Sequence, residues 1–577
     1  MAVVDRRIGL LFGGFLLLLL IAAGRTAYLG VFQSGALTAD ANSQQLSIIP
    51  IPAQRGEITD RNGEVLAISE AADEVIADPY LIAQDAASVK GQTPQVVAAQ
   101  LAPLVGMPES AVLSKLTATS SGELAGYSPI AYDVPAAQGT EITRLHIDGI
   151  NETPVEDRVY PRGSEAGQVL GFVNGRGAGG DGIEYLFNHI LGGRSGVERV
   201  VNDAKGKAIS VTTPQAMVPG ENMALTISSP LQQEVESVVA QLGEQYSPHG
   251  VTAIVTDPQT DQILALANWP FVNSNNVAAS SPMALEDQAV DLSYEPGSTY
   301  KAFTIAGALQ DGAVTPSTVI TIPPFLHIDG KTITDAESHG YINYTVAQIL
   351  KYSSNIGADL IANRDGESNF ASWVTRFGFG RPTGVALAGE QRGFILPENQ
   401  YSPVSMWNLP FGQGQEVTPM QMVQGYDAIA NGGILRTPQI IQSIGGKTQP
   451  MPKGHRIISP AVALELREML RGVLADGGTA SGAAIPGYDL AGKTGTAQVV
   501  VNGKYSNTLF DSSFIGMVPA SNPKLVIAIV VDHTPDYGGS IAAPAFQKIV
   551  GWAVPYFGIN PCPGPCPASA YDSGTTP

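Results

Sequence analysis

The chain reads as an α+β, multidomain protein: a single N-terminal transmembrane helix, a β-rich pedestal domain, and a C-terminal domain whose antiparallel five-stranded sheet is flanked by helices. Three observations carry this reading. An uncharged apolar run, Ile8 to Gly24, is just long enough to span a bilayer. At Pro219-Gly220 the sequence changes from short strands and turns to long helical stripes. Two strand-like segments then precede a long helical middle and three follow it, as expected for one sheet with helices on its faces.

Arg6 and Arg7 precede the apolar run, so the positive-inside rule keeps residues 1–7 cytoplasmic and places the rest of the chain outside. With Arg25 snorkelling to the interface, the span extends over residues 8–32. Ala22-Ala23-Gly24 also fits a signal-peptide cleavage site, but the apolar core is longer than a usual h-region, which favours a retained anchor. Residues 33–218 form the expected pedestal. RGEITDRNGEVLAI (55–68) reads as a hairpin turning at Asn62-Gly63, and YPRGSEAGQVLGFV (160–173) and GGDGIEYLFNHILGGRSG (179–196) follow.

Residues 219–558 make the second domain. Ser229-Pro230-Leu231-Gln232 combines a capping box with proline at the first helical position, and Leu231, Val235, Val238, Val239 and Leu242 form the stripe behind it. VTAIVTDP and QILALAN are the first strand pair; GTAQVVV, SSFIGMV and KLVIAIVVD are the last three. KLVIAIVVD is apolar on both parities, as a strand covered on both sides would be. A final helix reads in AAPAFQKIVGWAVPYF, and a Pro-rich tail fills 559–577.

The 577 residues carry a formal net charge of −20, which excludes a broad basic footprint for nucleic acid. The two cysteines, Cys562 and Cys566, both lie in the tail, so the core owes nothing to disulfides or to a cysteine metal site; a tail disulfide and two free thiols both remain open. The seven histidines lack metal-ligand spacing such as H-E-x-x-H, and no metal or cofactor is expected.

One segment, GYDLAGKTGTAQVV, matches a nucleotide-binding loop: Gly487, four residues, then Gly492-Lys493-Thr494. Its setting is wrong. DGGTASGAAIP upstream is too rich in glycine for a central strand, and GTAQVVV downstream reads as a strand where a helix should open. Lys493 needs another explanation.

Nucleophilic catalysis requires a hydroxyl that a base can deprotonate, and Glu295-Pro-Gly-Ser298-Thr-Tyr-Lys301 offers one. Ser298 sits at a helix start, and Lys301 three residues on lies on the same face. A second Ser-x-x-Lys, Ser521 to Lys524, falls in a turn where Pro523 opposes a helix. Tyr352-Ser353-Ser354-Asn355 closes a helical run with a polar Ser-x-Asn. Lys493-Thr494-Gly495-Thr496 opens a strand whose glycine lets another backbone approach, as peptide docking along an edge requires. Gly446-Lys447-Thr448-Gln449 lacks that following glycine.

These three elements, in this order, are the motif set of penicillin-binding proteins and class A β-lactamases. From about residue 55 to 546 the chain resembles a class B penicillin-binding protein, a monofunctional peptidoglycan transpeptidase. RGEITDRNG, YPRG, GGDGIE and LGGRSG are similar to that family's pedestal motifs; PGSTYK, SSN, GKTGT, SSFIGMVPA and AAPAF are similar to its transpeptidase motifs. The resemblance implies that residues 219–558 are a penicillin-binding transpeptidase domain in which Ser298 is acylated by D-Ala-D-Ala stem peptides and by β-lactams. Lys301 would be the base. An unperturbed lysine is neutral only about once in 2,500 at pH 7, a cost of roughly 4.6 kcal/mol, so burial and the charge of Lys493 are expected to lower its pKa. Ser353 would relay a proton, Asn355 would hold the substrate amide, and Lys493 would supply positive potential. Thr494 and Thr496 would bind the terminal carboxylate beside Gly495, with the N–H groups of Ser298 and Thr496 as the oxyanion hole.

Ser353-Ser354-Asn355, where elongation-type members commonly carry Ser-Cys-Asp, points to the cell-division type. Glycan polymerisation would then come from partners, a membrane-embedded SEDS-family glycosyltransferase and divisome proteins. The expected location is the plasma membrane, single-pass, with the catalytic domain extracytoplasmic. An elongation-type enzyme, a serine carboxypeptidase or β-lactamase, and a non-catalytic sensor or scaffold are the competing readings; no Glu-x-x-Leu-Asn deacylation element is found.

Overall fold

The computed structural model describes residues 2–31, 46–87, 92–202 and 208–571. The expected end of the anchor at Phe32, the first residues of the pedestal and the last six of the tail lie outside these. Helix α1 (Ala2–Val31) contains one stretch, Ile8–Leu29, that is long and apolar enough to cross a membrane, about 33 Å at 1.5 Å per residue.

The chain divides into two compact units that interleave along the sequence. The first comprises Met1–Gln54, Ala71–Glu156 and Gly193–Gly220. It holds a three-stranded antiparallel sheet, with Gly196–Asn202 between Leu46–Ile51 and Ala208–Gln215. It also holds a core of Val75, Val97, Leu101, Val112, Leu116, Ile130 and Val134. Helices Pro94–Val105, Glu109–Leu116 and Ala136–Arg144 help build that core, and the β-rich reading did not single them out. The first was legible: Thr93 caps it, accepting from the Val96 N–H, and Pro94 opens it.

The second unit comprises Arg55–Glu70, Asp157–Gly192 and Glu221–Pro577. Its hairpin turns at Asn62-Gly63 as expected, with Ile58 paired to Ala67 and Gly63 at φ +91°. Helix α2 (Ser229–Tyr246) starts at the expected place with Pro230 in its first turn, but the capping box does not form. Ser229 Oγ is buried without a partner, while the Ser229 N–H donates to Asp60 Oδ2 at 3.1 Å. The Gln232 side chain turns instead to the backbone of Leu266, accepting from its N–H at 2.8 Å and donating to its carbonyl at 2.6 Å. A buried strand's backbone has outcompeted the local cap.

The sheet has five antiparallel strands: β1 (Gly250–Asp257), β2 (Gln262–Trp269), β3 (Ala491–Val501), β4 (Lys504–Val518) and β5 (Leu525–Thr534). Their order is β2–β1–β5–β4–β3, so β3 is an edge. On β5, Ile527, Ile529 and Val531 join one core, with Leu231, Val235 and Val239 of α2 and with Phe546, Ile549 and Val550 of the last helix (Ala542–Tyr556). The other parity, Val526, Ala528 and Val530, joins the larger core on the opposite face. Both faces are therefore covered, as the two-parity pattern required. At the tail, Cys562 and Cys566 are joined in a disulfide.

Candidate active site

A short 3₁₀ turn, Gly297–Tyr300, runs into helix α3 (Lys301–Gln310). Gly297 has φ +53°, and a Cβ there would sit 3.0 Å from the Thr496 carbonyl oxygen, so glycine lets the turn lie against β3. Thr299 Oγ1 donates to the Pro296 carbonyl at 2.7 Å, and Tyr426 Oη donates to the Thr299 carbonyl at 2.8 Å, fixing the turn from inside. Ser298 and Lys301 consequently share one face, with Lys301 Nζ 2.9 Å from Ser298 Oγ.

The second element joins helices α4 (Val346–Tyr352) and α5 (Asn355–Asp365). Ser353 closes α4 in the left-handed region, φ +62°, and Ser354 caps α5 by accepting from the Gly357 N–H at 2.9 Å. The reversal turns the Ser353 carbonyl, its hydroxyl and the Asn355 amide oxygen towards Lys301 Nζ, at 2.5, 3.2 and 2.7 Å.

Lys493 enters from β3 opposite, Nζ 2.9 Å from Ser353 Oγ and 3.0 Å from its neighbour's carbonyl at Thr494. Ser353 Oγ thus bridges the two lysines. Gly495 is needed because a Cβ there would meet Ser513 Oγ at 2.2 Å and the Pro296 carbonyl at 3.0 Å. Thr496 Oγ1 accepts from the Gly538 N–H at 3.1 Å, and Thr494 Oγ1 lies 2.9 Å from Thr479 Oγ1. All eight residues singled out from the sequence therefore fall in one cluster. The nucleotide reading fails on the same geometry, since the lysine continues into a strand and no helix opens from the glycines.

Both lysines are fully buried. Burial lowers the Lys301 pKa to about 7, against the opposing pull of Asp335 and Asp359. Burial, helped by Lys301, holds Lys493 well below the usual lysine range. The expected effect of Lys493 on Lys301 is thus felt in the other direction. Two carboxylates escaped the sequence reading. Asp335 accepts from the Asn355 and Ile356 N–H groups at 2.6 and 3.0 Å and from Ser354 Oγ at 2.6 Å, tying down the α4–α5 connection at a helix N-terminus. Asp359, one turn beyond Asn355, is fully buried with neither oxygen hydrogen-bonded, and burial pushes its carboxyl well above the usual range. The spacing of Asn355 and Asp359 was the only local signal for it.

The model of the penicillin-binding protein transpeptidase domain matches residues 251–551, and that of the penicillin-binding protein dimerisation domain matches residues 50–225. The chain belongs to the class B penicillin-binding proteins. Among its curated relatives, PbpB of Mycobacterium tuberculosis is 32% identical across 95% of this chain and 85% of its own. The peptidoglycan D,D-transpeptidase FtsI of Escherichia coli is 30% identical across 96% and 92%. Among solved structures, penicillin-binding protein 3 of M. tuberculosis complexed with ampicillin superposes with a TM-score of 0.70 at 27% identity, covering 90% of this chain and 99% of that one. This penicillin-binding protein is an enzyme of the transpeptidase class, and the clustered residues all lie inside the transpeptidase match.

Proposed function

We propose that this penicillin-binding protein cross-links peptidoglycan by serine acyl transfer at D-Ala-D-Ala and is acylated at the same serine by β-lactams. The observation that carries the proposal is the set of partners around Lys301 Nζ. Two of them, the Ser353 carbonyl and Asn355 Oδ1, can only accept. A neutral amine spends its two N–H bonds on those oxygens, and its lone pair is left for the Ser298 hydroxyl at 2.9 Å. With a pKa of about 7, the amine is neutral in half of the molecules at neutral pH, where an ordinary lysine would almost never be.

Lys301 then takes the Ser298 proton as Oγ attacks the D-Ala carbonyl. The N–H groups of Ser298 and Thr496 hold the oxyanion, a donor of this kind being worth roughly 3–4 kcal/mol. As the C–N bond breaks, Ser353, within reach of both lysines, passes a proton to the leaving amine. An incoming stem-peptide amine completes the transfer. Asn355 holds the substrate backbone, and Thr494, Gly495 and Thr496 line the carboxylate end. Lys493 has its charge suppressed by burial; the arriving carboxylate favours its charged form again.

Helix α1 is the membrane anchor in this reading, residues 33–218 the pedestal and 219–558 the catalytic domain, extracytoplasmic. A cell-division role, with a SEDS-family polymerase and divisome proteins as partners, is supported by Ser353-Ser354-Asn355 and by similarity to FtsI and PbpB. Incubating the detergent-solubilised chain with a fluorescent penicillin tests the chemistry. Stable labelling is expected, lost in Ser298→Ala and kept in Ser521→Ala; label that persists in Ser298→Ala overturns the assignment, and label that decays within seconds favours a hydrolase.

A further inference from the structure

At one end of the catalytic sheet, three chain segments bring together groups that the acyl-transfer chemistry leaves unused. His249 precedes β1, while Asp532 and His533 lie near the end of β5; the His249 N–H donates to the Asp532 carbonyl at 3.0 Å. One carboxylate serves both rings. His249 Nδ1 is 2.9 Å from Asp532 Oδ2, and His533 Nδ1 is 2.7 Å from Asp532 Oδ1. One nitrogen from each ring and a carboxylate oxygen of Asp532 lie within 4.8 Å of one another. A second carboxylate, Asp511 on β4, lies behind them, its Oδ1 3.8 Å from His533 Nδ1 and accepting from the His533 N–H at 3.2 Å. His533 is held at φ +58°, a conformation few side chains adopt, which turns its ring back over the aspartates.

We propose that His249, Asp532 and His533 form a binding site for one divalent transition metal ion of the zinc class. Imidazole nitrogen and carboxylate oxygen suit that class, and three protein ligands with a fourth position left to water is a common open arrangement. Donors bound at about 2.1 Å to one tetrahedral ion stand roughly 3.4 Å apart. His249 Nδ1 and His533 Nδ1 each lie nearer than that to one oxygen of Asp532, at 2.9 and 2.7 Å, so small rotations of the two exposed rings make room for the ion. The carboxylate is buried while the His249 and His533 side chains are 59% and 41% exposed, so an ion can enter from solvent to a fixed anionic base. Binding replaces ring protons, which leave to solvent.

The location bears on the catalytic strand. The metal would tie β1 to the end of β5, from which the chain runs to Gly538. That residue donates to Thr496 Oγ1, and a Cβ on it would meet the Gly495 carbonyl at 2.1 Å. An ion here therefore stiffens the segment lying against Gly495 and Thr496.

The test uses the full chain in detergent, stripped with a chelator and titrated with Zn²⁺ by calorimetry and with Co²⁺ by visible absorption. One ion per chain is expected, with the strong absorption bands of tetrahedral Co²⁺ and a raised Tm with Zn²⁺. The double variant His249→Gln, His533→Asn, whose asparagine tolerates positive φ, should lose the bands and weaken Zn²⁺ binding at least tenfold while still reacting with fluorescent penicillin. No stoichiometric binding to the parent chain, or binding unchanged in the double variant, overturns the proposal.

Discussion

Two buried charge clusters in the second unit are built on opposite rules. In one, Arg55 of RGEITDRNG and Glu184 of GGDGIE meet although 129 residues separate them: Glu184 accepts from Arg55 Nε at 2.5 Å and from Arg158 Nε at 2.7 Å. Arg55 also reaches the Glu184 carbonyl and Asn188 Oδ1, both at 2.8 Å. In the other, Lys301 and Lys493 are equally buried, yet their hydrogen-bond partners are hydroxyls, carbonyls and an amide. A buried cation gripped by a carboxylate stays a cation and holds structure. One whose hydrogen-bond partners are all neutral is pushed towards its neutral form, as the proposed base Lys301 requires.

The strongest way to break this contrast is at Lys301. Lys301→Arg should cut β-lactam acylation by about a thousandfold or more, because a guanidinium cannot deprotonate; near-parental acylation rates in stopped-flow labelling would refute the base assignment. Lys493→Ala should slow acylation by about a hundredfold, whereas Gly487→Ala should stay within a few-fold and ATP should not bind by equilibrium dialysis. Gly487 tests the discarded loop: a Cβ there would meet nothing closer than Pro561 at 3.8 Å, and the strain of alanine at φ +84° falls on an exposed turn.

The structural cluster should respond differently. Glu184→Ala leaves two buried guanidinium groups without their shared carboxylate, and such breaks cost about 3–5 kcal/mol. A large fall in Tm by calorimetry is expected, with the acylation rate of the remaining folded protein unchanged; a rate loss without a Tm loss would mean that Glu184 serves the chemistry rather than the fold. The smallest effect is the pH profile. Because the neutral amine is the base and its pKa is lowered to about 7, acylation should rise roughly tenfold from pH 6 towards a plateau above pH 8. A profile that keeps climbing towards pH 10 would mean that burial does not act on Lys301 as the structure implies.

The proposed catalytic residues were legible because their motifs are short and each sits on one element or at one junction. Ser298 and Lys301 face the same way through helical spacing alone. Lys493 and Gly495 are two residues apart on a strand, so they share a face. The five strands and the doubly covered β5 were legible for the same reason, since periodicity records which faces are buried. The helices of the first unit were missed although Thr93-Pro94 marks one of them, because a turn-rich composition was given more weight than the cap. Asp335 could not be found: it lies 20 residues before Asn355 in a segment without periodicity, and only folding sets it against the N-terminus of α5.

The sequence by itself determined the family, the order of the elements, the proposed catalytic set and the apolar helix at the start, because each rests on spacings within a few residues. Only the tertiary structure decided which partner each buried polar group would take. It turned Gln232 from its own helix cap to the backbone of Leu266, and it gave Arg55 a carboxylate while leaving Lys301 with only neutral hydrogen-bond partners. It also set His249 beside Asp532 across 283 residues, where ligand spacing along the chain carried no signal. The physical reason is the same in each case: a group taken out of water must find its partner nearby in space, and nearness in space is set by packing.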